Sequence, residues 1–214
     1  MSVPTVFEPP DLFQLDDLLS AEDRALRQRV REWVETHYLP HIAEWNERAE
    51  FPLQRALQIA QFGAFGGNIT GYGCAGLSPL QYGLVMQELE RGDTGLRTLA
   101  SVQGALAMNA IHLFGSEDQK QRWLPAMARG EKLGCFGLTE PDFGSNPAGM
   151  TTTATKTDRG YTLTGRKMWI GLATHADVAV VWAKVAGLPG IEPCLLYTSP
   201  SPRDLSTARM PSSA

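Results

Sequence analysis

Between Ser20 and Gly130 the apolar positions recur every three to four residues, which predicts a run of amphipathic helices. Ser20 with Asp23 makes an N-terminal cap, and Leu26, Val30, Trp33 and Val34 then share one face until Pro40, where the run should stop. A second helix is expected from Pro52 to Phe62, ending in the glycines of residues 63–67. A third opens at Ser78-Pro79 and carries Leu80, Leu84, Val85 and Leu89. Residues 96–114 differ. They are apolar nearly all round, with the small residues Ala100, Ala105, Ala107 and Ala110, so this fourth helix belongs at the centre of a bundle. Ser116 with Gln119 forms a capping box for a fifth helix through Trp123, Leu124 and Met127, ended by Gly130.

After Leu133 the period becomes alternating. Residues 151–157, 161–164, 167–170 and 178–182 are short runs rich in Thr, Val and aromatics, and residues 158–160 supply a hairpin turn between the first two. Helices followed by strands define an α+β chain. An all-α amino-terminal helical bundle domain is expected over residues 1–133. An antiparallel β-barrel-like middle domain follows over residues 134–193, incomplete because about four strands do not close a barrel. Residues 194–214 have no period and are dense in Ser, Pro and Arg, which predicts disorder. Back-translated, residues 194–204 can be encoded by the transposon-end adapter of short-read DNA libraries, and residues 209–214 resemble its far end. The tail is therefore expected to be non-native.

Composition narrows the function only by exclusion. The net charge is -4, with 19 basic residues scattered among 23 acids, so no basic surface for nucleic acid is expected. The longest apolar runs, such as residues 178–183, fall well short of the roughly 18 to 20 residues of a bilayer helix, and the first 17 residues lack the features of a secretory signal. Cys74, Cys135 and Cys194 form no CxxC, which suits reduced thiols in a cytoplasm and argues against disulfides and zinc. His37 and His41 are separated by Pro40 and lack an HExxH setting, so they make no metal site. The literal GxGxxG of residues 71–76 follows a helical pattern rather than a strand and reads as a loop between helices.

Two features carry chemistry. In the first, a strand at Cys135-Phe136-Gly137 runs into Leu138-Thr139-Glu140-Pro141-Asp142-Phe143-Gly144-Ser145-Asn146, and Lys167-Met168-Trp169-Ile170-Gly171 follows. Free N–H groups and the Thr139 and Ser145 hydroxyls of such a loop can meet a flat polar ring and a pyrophosphate, and Trp169 offers an aromatic plane. Taken singly, the pieces also fit an ordinary turn and a core Trp. The second feature is Arg97, the one permanently charged residue in 94–116, with Ser101 a turn later on the same face. Arg suits bidentate grip of a carboxylate, and no acid in its own helix is placed to pair with it. An Arg at a helix start that reaches solvent fits the same pattern.

The Leu-Thr-Glu-Pro-x-x-Gly-Ser loop and the Lys-x-Trp-Ile segment resemble the flavin-binding segments of acyl-CoA dehydrogenases, over about residues 12–185. That resemblance implies a helical domain, a middle β domain and a second helical domain, the last missing here. It also implies FAD held by Phe136, Gly137, Leu138, Thr139, Glu140, Pro141, Gly144, Ser145, Trp169, Ile170 and Gly171. Thr139 would bond the isoalloxazine edge, Trp169 would lie against its face, and Ser145 would also touch the acyl-CoA substrate. Residues 88–103 and the 71–76 loop resemble the glutaryl-CoA dehydrogenase type, in which Arg97 and Ser101 would meet the distal carboxylate. Thr98 joins the implied substrate-binding residues.

The implied reaction takes the α proton and passes the β hydride to the flavin, with loss of the γ carboxylate giving crotonyl-CoA. Its base is a carboxylate of the last helical domain that no residue here matches, so the 214-residue polypeptide is expected to be inactive alone. Electron-transferring flavoprotein as acceptor and a homotetrameric full-length enzyme are further implications. The sequence departs from the family at Asn146, usually Asp; at Gly171, often Thr with its hydroxyl near flavin N5; and at Leu172, often Asn. The Gly171 departure leaves a short-chain acyl-CoA oxidase open, and a non-catalytic flavin or CoA-binding module is the reading from another class.

Overall fold

A computed structural model describes residues 12–158 and 160–185, together with the backbone of residues 192–197 and 208–209. Helix α1 (Ala21–Trp33) starts at a reciprocal cap: the Ser20 hydroxyl accepts the Asp23 N–H at 3.1 Å, and the Asp23 carboxylate accepts the Ser20 N–H at 3.2 Å. Pro40 does not stop the run. The chain widens into a π turn over Val34–Tyr38, tightens into a 3-10 turn over Leu39–His41, and continues as α2 (Ile42–Glu47). Pro40 sits in the first residues of that 3-10 turn, where no backbone donor is needed.

Helix α3 (Leu53–Ala56) runs on as a 3-10 turn over Leu57–Phe62 and ends at Gly63, whose φ of 70° only glycine adopts freely. Helix α4 (Pro79–Gly92) carries a second capping box, Ser78 with Gln81. The expected central helix is α5 (Thr94–Ala100), a π-helical stretch over Ser101–Met108, and α6 (Asn109–Phe114) in unbroken succession. Helix α7 (Glu117–Ala128) closes the domain behind the Ser116–Gln119 box.

Leu96, Leu99, Ala107 and Met108 of the central helix are buried among Val30, Val34, Leu89, Leu124 and Met127, forming one core. A Cβ at Gly104 would lie 2.6 Å from the backbone nitrogen of Gly66, so glycine is required for loop and helix to approach this closely.

The sheet contains β1 (Gly134–Gly137), β2 (Thr153–Thr157), β3 (Gly160–Thr164), β4 (Val178–Val185), β5 (Glu192–Tyr197) and β6 (Ala208–Arg209). Its order is β1-β4-β2-β3-β6, with β5 also on β4. The β2–β3, β3–β6 and β4–β5 pairs are antiparallel, whereas β1 and β2 pair with β4 in parallel. The parallel β1–β4 pair follows from the long crossover of residues 138–177, which carries the hairpin. Residues 167–170, expected as a strand, are irregular, because Trp169 takes φ of 61°, outside the strand region. Residues 194–197, expected as aperiodic tail, continue β5 in register from Ala183↔Glu192 to Val178↔Tyr197. The short apolar run there has strand propensity that the Ser and Pro after it obscure. Apart from Ala208–Arg209, the rest of that tail lies outside the described residues.

Gln103, fully buried in the π-helical stretch, joins the two domains. Its Oε1 accepts the Gly134 N–H at 2.8 Å, and its Nε2 donates to the carbonyls of Met127 at 3.1 Å and Lys132 at 2.8 Å. A Cβ at Gly134 would lie 2.8 Å from that of Ala107, so β1 begins directly on the central helix. Asp177 accepts the Leu133 N–H at 2.9 Å from the other side.

Candidate functional site

The loop that leaves β1 is built around Glu140. Its N–H donates to the Phe143 carbonyl at 3.1 Å and its own carbonyl accepts the Phe143 N–H at 3.2 Å, closing a tight turn. The side chain points inward and is 2% exposed. One carboxylate oxygen accepts the Thr151 N–H at 2.6 Å and hydroxyl at 2.8 Å; the other accepts the Thr152 N–H at 2.9 Å, the Thr152 hydroxyl, and the Lys167 ammonium at 2.9 Å. Burial alone would raise the pKa of this carboxyl. The Thr151 N–H, the Thr152 hydroxyl and Lys167 outweigh it and hold the group well below the usual carboxylate range.

Glu140, an implied cofactor contact, has its side chain turned into the protein here. Carboxylate, N–H and carbonyl are all committed within the protein, so Glu140 supports the loop from behind. Around it, Leu138 and Thr139 are half-buried, and Pro141, Gly144 and Ser145 are exposed. Phe136 and Gly137 lie at the end of β1; the Phe136 ring stands edge-on to Trp182 with centroids 5.8 Å apart.

The second segment is tied to the first through the backbone. Met168 N–H donates to the Thr139 carbonyl at 2.9 Å, and the Lys167 ammonium donates to the Leu138 carbonyl at 3.0 Å. Trp169 follows in the left-handed region and is 87% exposed, its aromatic side chain outside the core. Ile170 packs on the β-domain core, and Leu172 touches the cores of both domains. Gly171 is exposed, and a Cβ there would lie 3.4 Å from Val102. That proximity brings the 169–171 loop to the turn of the central helix that begins at Ser101.

Arg97, Thr98 and Ser101 lie on this helix, Thr98 exposed and the other two half-buried. Arg97 has an acidic partner that was not expected. Its Nε donates to Glu90 Oε2 at 2.6 Å across the corner where α4 turns into α5 at Asp93. The hydrogen bonds from Arg97 and from the Thr94 hydroxyl hold the Glu90 carboxyl below its ordinary range. The partner stands not on Arg97's own helix but on the preceding one. Glu90 takes the Nε edge, and no bond from Arg97 to the 138–145 loop is seen among the described residues.

The structure therefore assembles a loop with exposed polar termini, a free indole face beside it, and an Arg–Ser pair on the neighbouring helix. Lys167, Thr151, Thr152 and Gln103, which hold these parts in place, were not among the expected site residues. Lys167 lies within the Lys-x-Trp-Ile motif, and the others carry no local signal. No group of three or more potential metal ligands occurs among the described residues, and no described helix is long and apolar enough to cross a membrane.

A helical bundle followed by a small sheet is the order of the N-terminal and middle domains of acyl-CoA dehydrogenases. The chain belongs to the acyl-CoA dehydrogenase family of FAD-dependent oxidoreductases: the family's N-terminal domain matches residues 20–131 and its middle domain residues 135–210. Among curated proteins it is similar to the short-chain specific acyl-CoA dehydrogenase of Clostridium acetobutylicum, 34% identical over 83% of this chain and 48% of that protein. Among solved structures it is similar to glutaryl-CoA dehydrogenase from Mycobacterium smegmatis, with 50% identity, a TM-score of 0.84, and coverage of 88% of this chain and 49% of the other. A glutaryl-CoA dehydrogenase structure from the same organism, in complex with FADH2, matches at 46% identity with the same TM-score, over 88% of this chain and 48% of the other. The chain thus spans about half the length of the relatives it matches.

Proposed function

We propose that this chain is the front half of a flavin-dependent dehydrogenase acting on glutaryl-CoA. The observation that carries the substrate choice is Arg97, held by Glu90 on its Nε edge and one turn before Ser101, on the helix whose Val102 approaches Gly171. The residues fit FAD: Trp169 is 87% exposed, and Gly144 and Ser145 present an open backbone and an exposed hydroxyl on the loop whose Leu138 and Thr139 are tied to the Trp169 segment.

FAD, when bound, supplies the acceptor for the β hydride. The Thr139 hydroxyl would hold the ring edge, Trp169 would pack on its face, and Ser145 would meet both the pyrophosphate and the acyl-CoA. Arg97 and Ser101 would fix the distal carboxylate and so limit how the acyl chain can lie in the site. The α proton goes to a carboxylate in the remaining half, and none of the proposed site residues here is assigned that role. The enoyl product can then lose its γ carboxylate as carbon dioxide, and the dienolate left behind takes up a proton at that carbon to give crotonyl-CoA. Electron-transferring flavoprotein as acceptor, a homotetramer and a cytoplasmic setting complete the proposal.

The decisive variant is Arg97→Ala in the full-length enzyme. Loss of activity should be selective for dicarboxylic acyl-CoAs, by about two orders of magnitude in kcat/KM given a charge-assisted pair worth roughly 3 kcal/mol. Equal loss for all acyl chains would overturn the assignment. A second reading, a short-chain acyl-CoA oxidase, is favoured by the missing hydroxyl at Gly171; rapid oxygen consumption by the full-length enzyme would select it.

A further inference from the structure

Lys167 spends its whole side chain inside the protein. It is 8% exposed, and its ammonium donates to the Leu138 carbonyl at 3.0 Å and to Glu140 Oε1 at 2.9 Å, with Met150 Sδ at 3.8 Å. Its stem passes over Gly137, where a Cβ would lie 3.5 Å from Lys167 Cγ. The next residue, Met168, donates its N–H to the Thr139 carbonyl, and the residue after that is the exposed Trp169.

A buried ammonium is expensive, and a neutral side chain could satisfy a single carbonyl. What the charge adds is a common anchor for three segments. Glu140, which it pairs with, is itself bonded to the backbone and hydroxyls of Thr151 and Thr152, at the entrance to β2. The loop of residues 138–140, the start of β2 and the 167–169 segment are thus held to one point. Within that arrangement the distance between Thr139 and Trp169 is set by Lys167 and Met168 alone among the described hydrogen bonds.

We propose that Lys167 is a positioning residue for the flavin, fixing the spacing between Thr139 and Trp169 so that the edge contact and the face contact to the ring are made together. The inference rests on the flavin reading above. Lys167 does not itself touch the ring; it acts through the Leu138 carbonyl, Glu140 and the backbone bond that follows it. A displacement of the indole by about 1 Å is enough to lose productive alignment.

The test uses the full-length enzyme and FAD as probe. An indole stacked on the ring quenches flavin fluorescence, so Trp169→Ala sets the unstacked level. Lys167→Met should weaken FAD binding about tenfold or more, and its bound flavin should fluoresce near that unstacked level. Lys167→Arg, which keeps a cation able to reach both acceptors, should restore part of both readouts. A Lys167→Met enzyme that is merely less stable, with unchanged FAD affinity and fluorescence, would overturn the inference and leave the flavin reading standing. Wild-type enzyme that takes up no FAD would overturn both. Should Lys167→Met fail to fold, Glu140→Gln loosens the same anchor and should shift fluorescence in the same direction; no shift overturns the inference.

Discussion

Glu140→Ala is the most informative single perturbation of the site's scaffold. The wild-type carboxylate accepts five hydrogen bonds, from the N–H and hydroxyl of both Thr151 and Thr152 and from Lys167. Truncation leaves those donors unpaired beside an ammonium only 8% exposed. Breaking a buried pair from one side costs about 3–5 kcal/mol. Taking roughly 3 kcal/mol as the local cost, the opening equilibrium of the Thr151 and Thr152 amides should rise about a hundredfold. Native-state hydrogen exchange on those two amides reads this directly. The folded carboxyl titrates well below its ordinary value of 4.5. Its contribution is therefore complete above that value and lost as pH falls through it towards the folded pKa. The protection gap between wild type and variant should be full near neutral pH and narrow as the medium is made more acidic than 4.5. Protection within about threefold of wild type, or a gap indifferent to acid, would refute the reasoning.

Other expectations follow from neighbouring contacts. Gln103→Leu strands the Gly134 N–H and two carbonyls at the domain seam and should destabilise the protein by about 2–3 kcal/mol, measurable as a lowered thermal midpoint. Gly104→Ala drives a methyl to within 2.6 Å of the Gly66 backbone and should cost about 1–3 kcal/mol, read by urea denaturation. The proposed foreign origin of the tail predicts that genomic DNA departs from this sequence at or near codon 194. An uninterrupted reading frame through residues 194–214 would reject it.

The helices were legible because their signals are local. Ser78 with Gln81 and Ser116 with Gln119 form their caps within one turn, and the small-residue run of 96–114 does lie at the centre. Pro40 misled because a proline that breaks one helical register can open the next. Residues 167–170 have strand-like composition, yet the bond from Met168 to Thr139 and the left-handed Trp169 override it. The motif marked out the loop, but which of its residues face inward and which outward was not readable from it. Nothing local shows that Glu140 turns in to Thr151 and Thr152, or that Arg97 meets Glu90 across a helix corner, because both depend on non-local packing. Parallel pairing of β1 with β4 is non-local in the same way.

The central claim is that the 138–145 loop and Trp169 form one side of a flavin pocket. Full-length enzyme purified without added cofactor, then titrated with FAD while tryptophan and flavin emission are followed, tests it most directly. The account predicts a yellow protein whose flavin emission is quenched, with the quench relieved in Trp169→Ala. A colourless protein that leaves added FAD free in solution would contradict it.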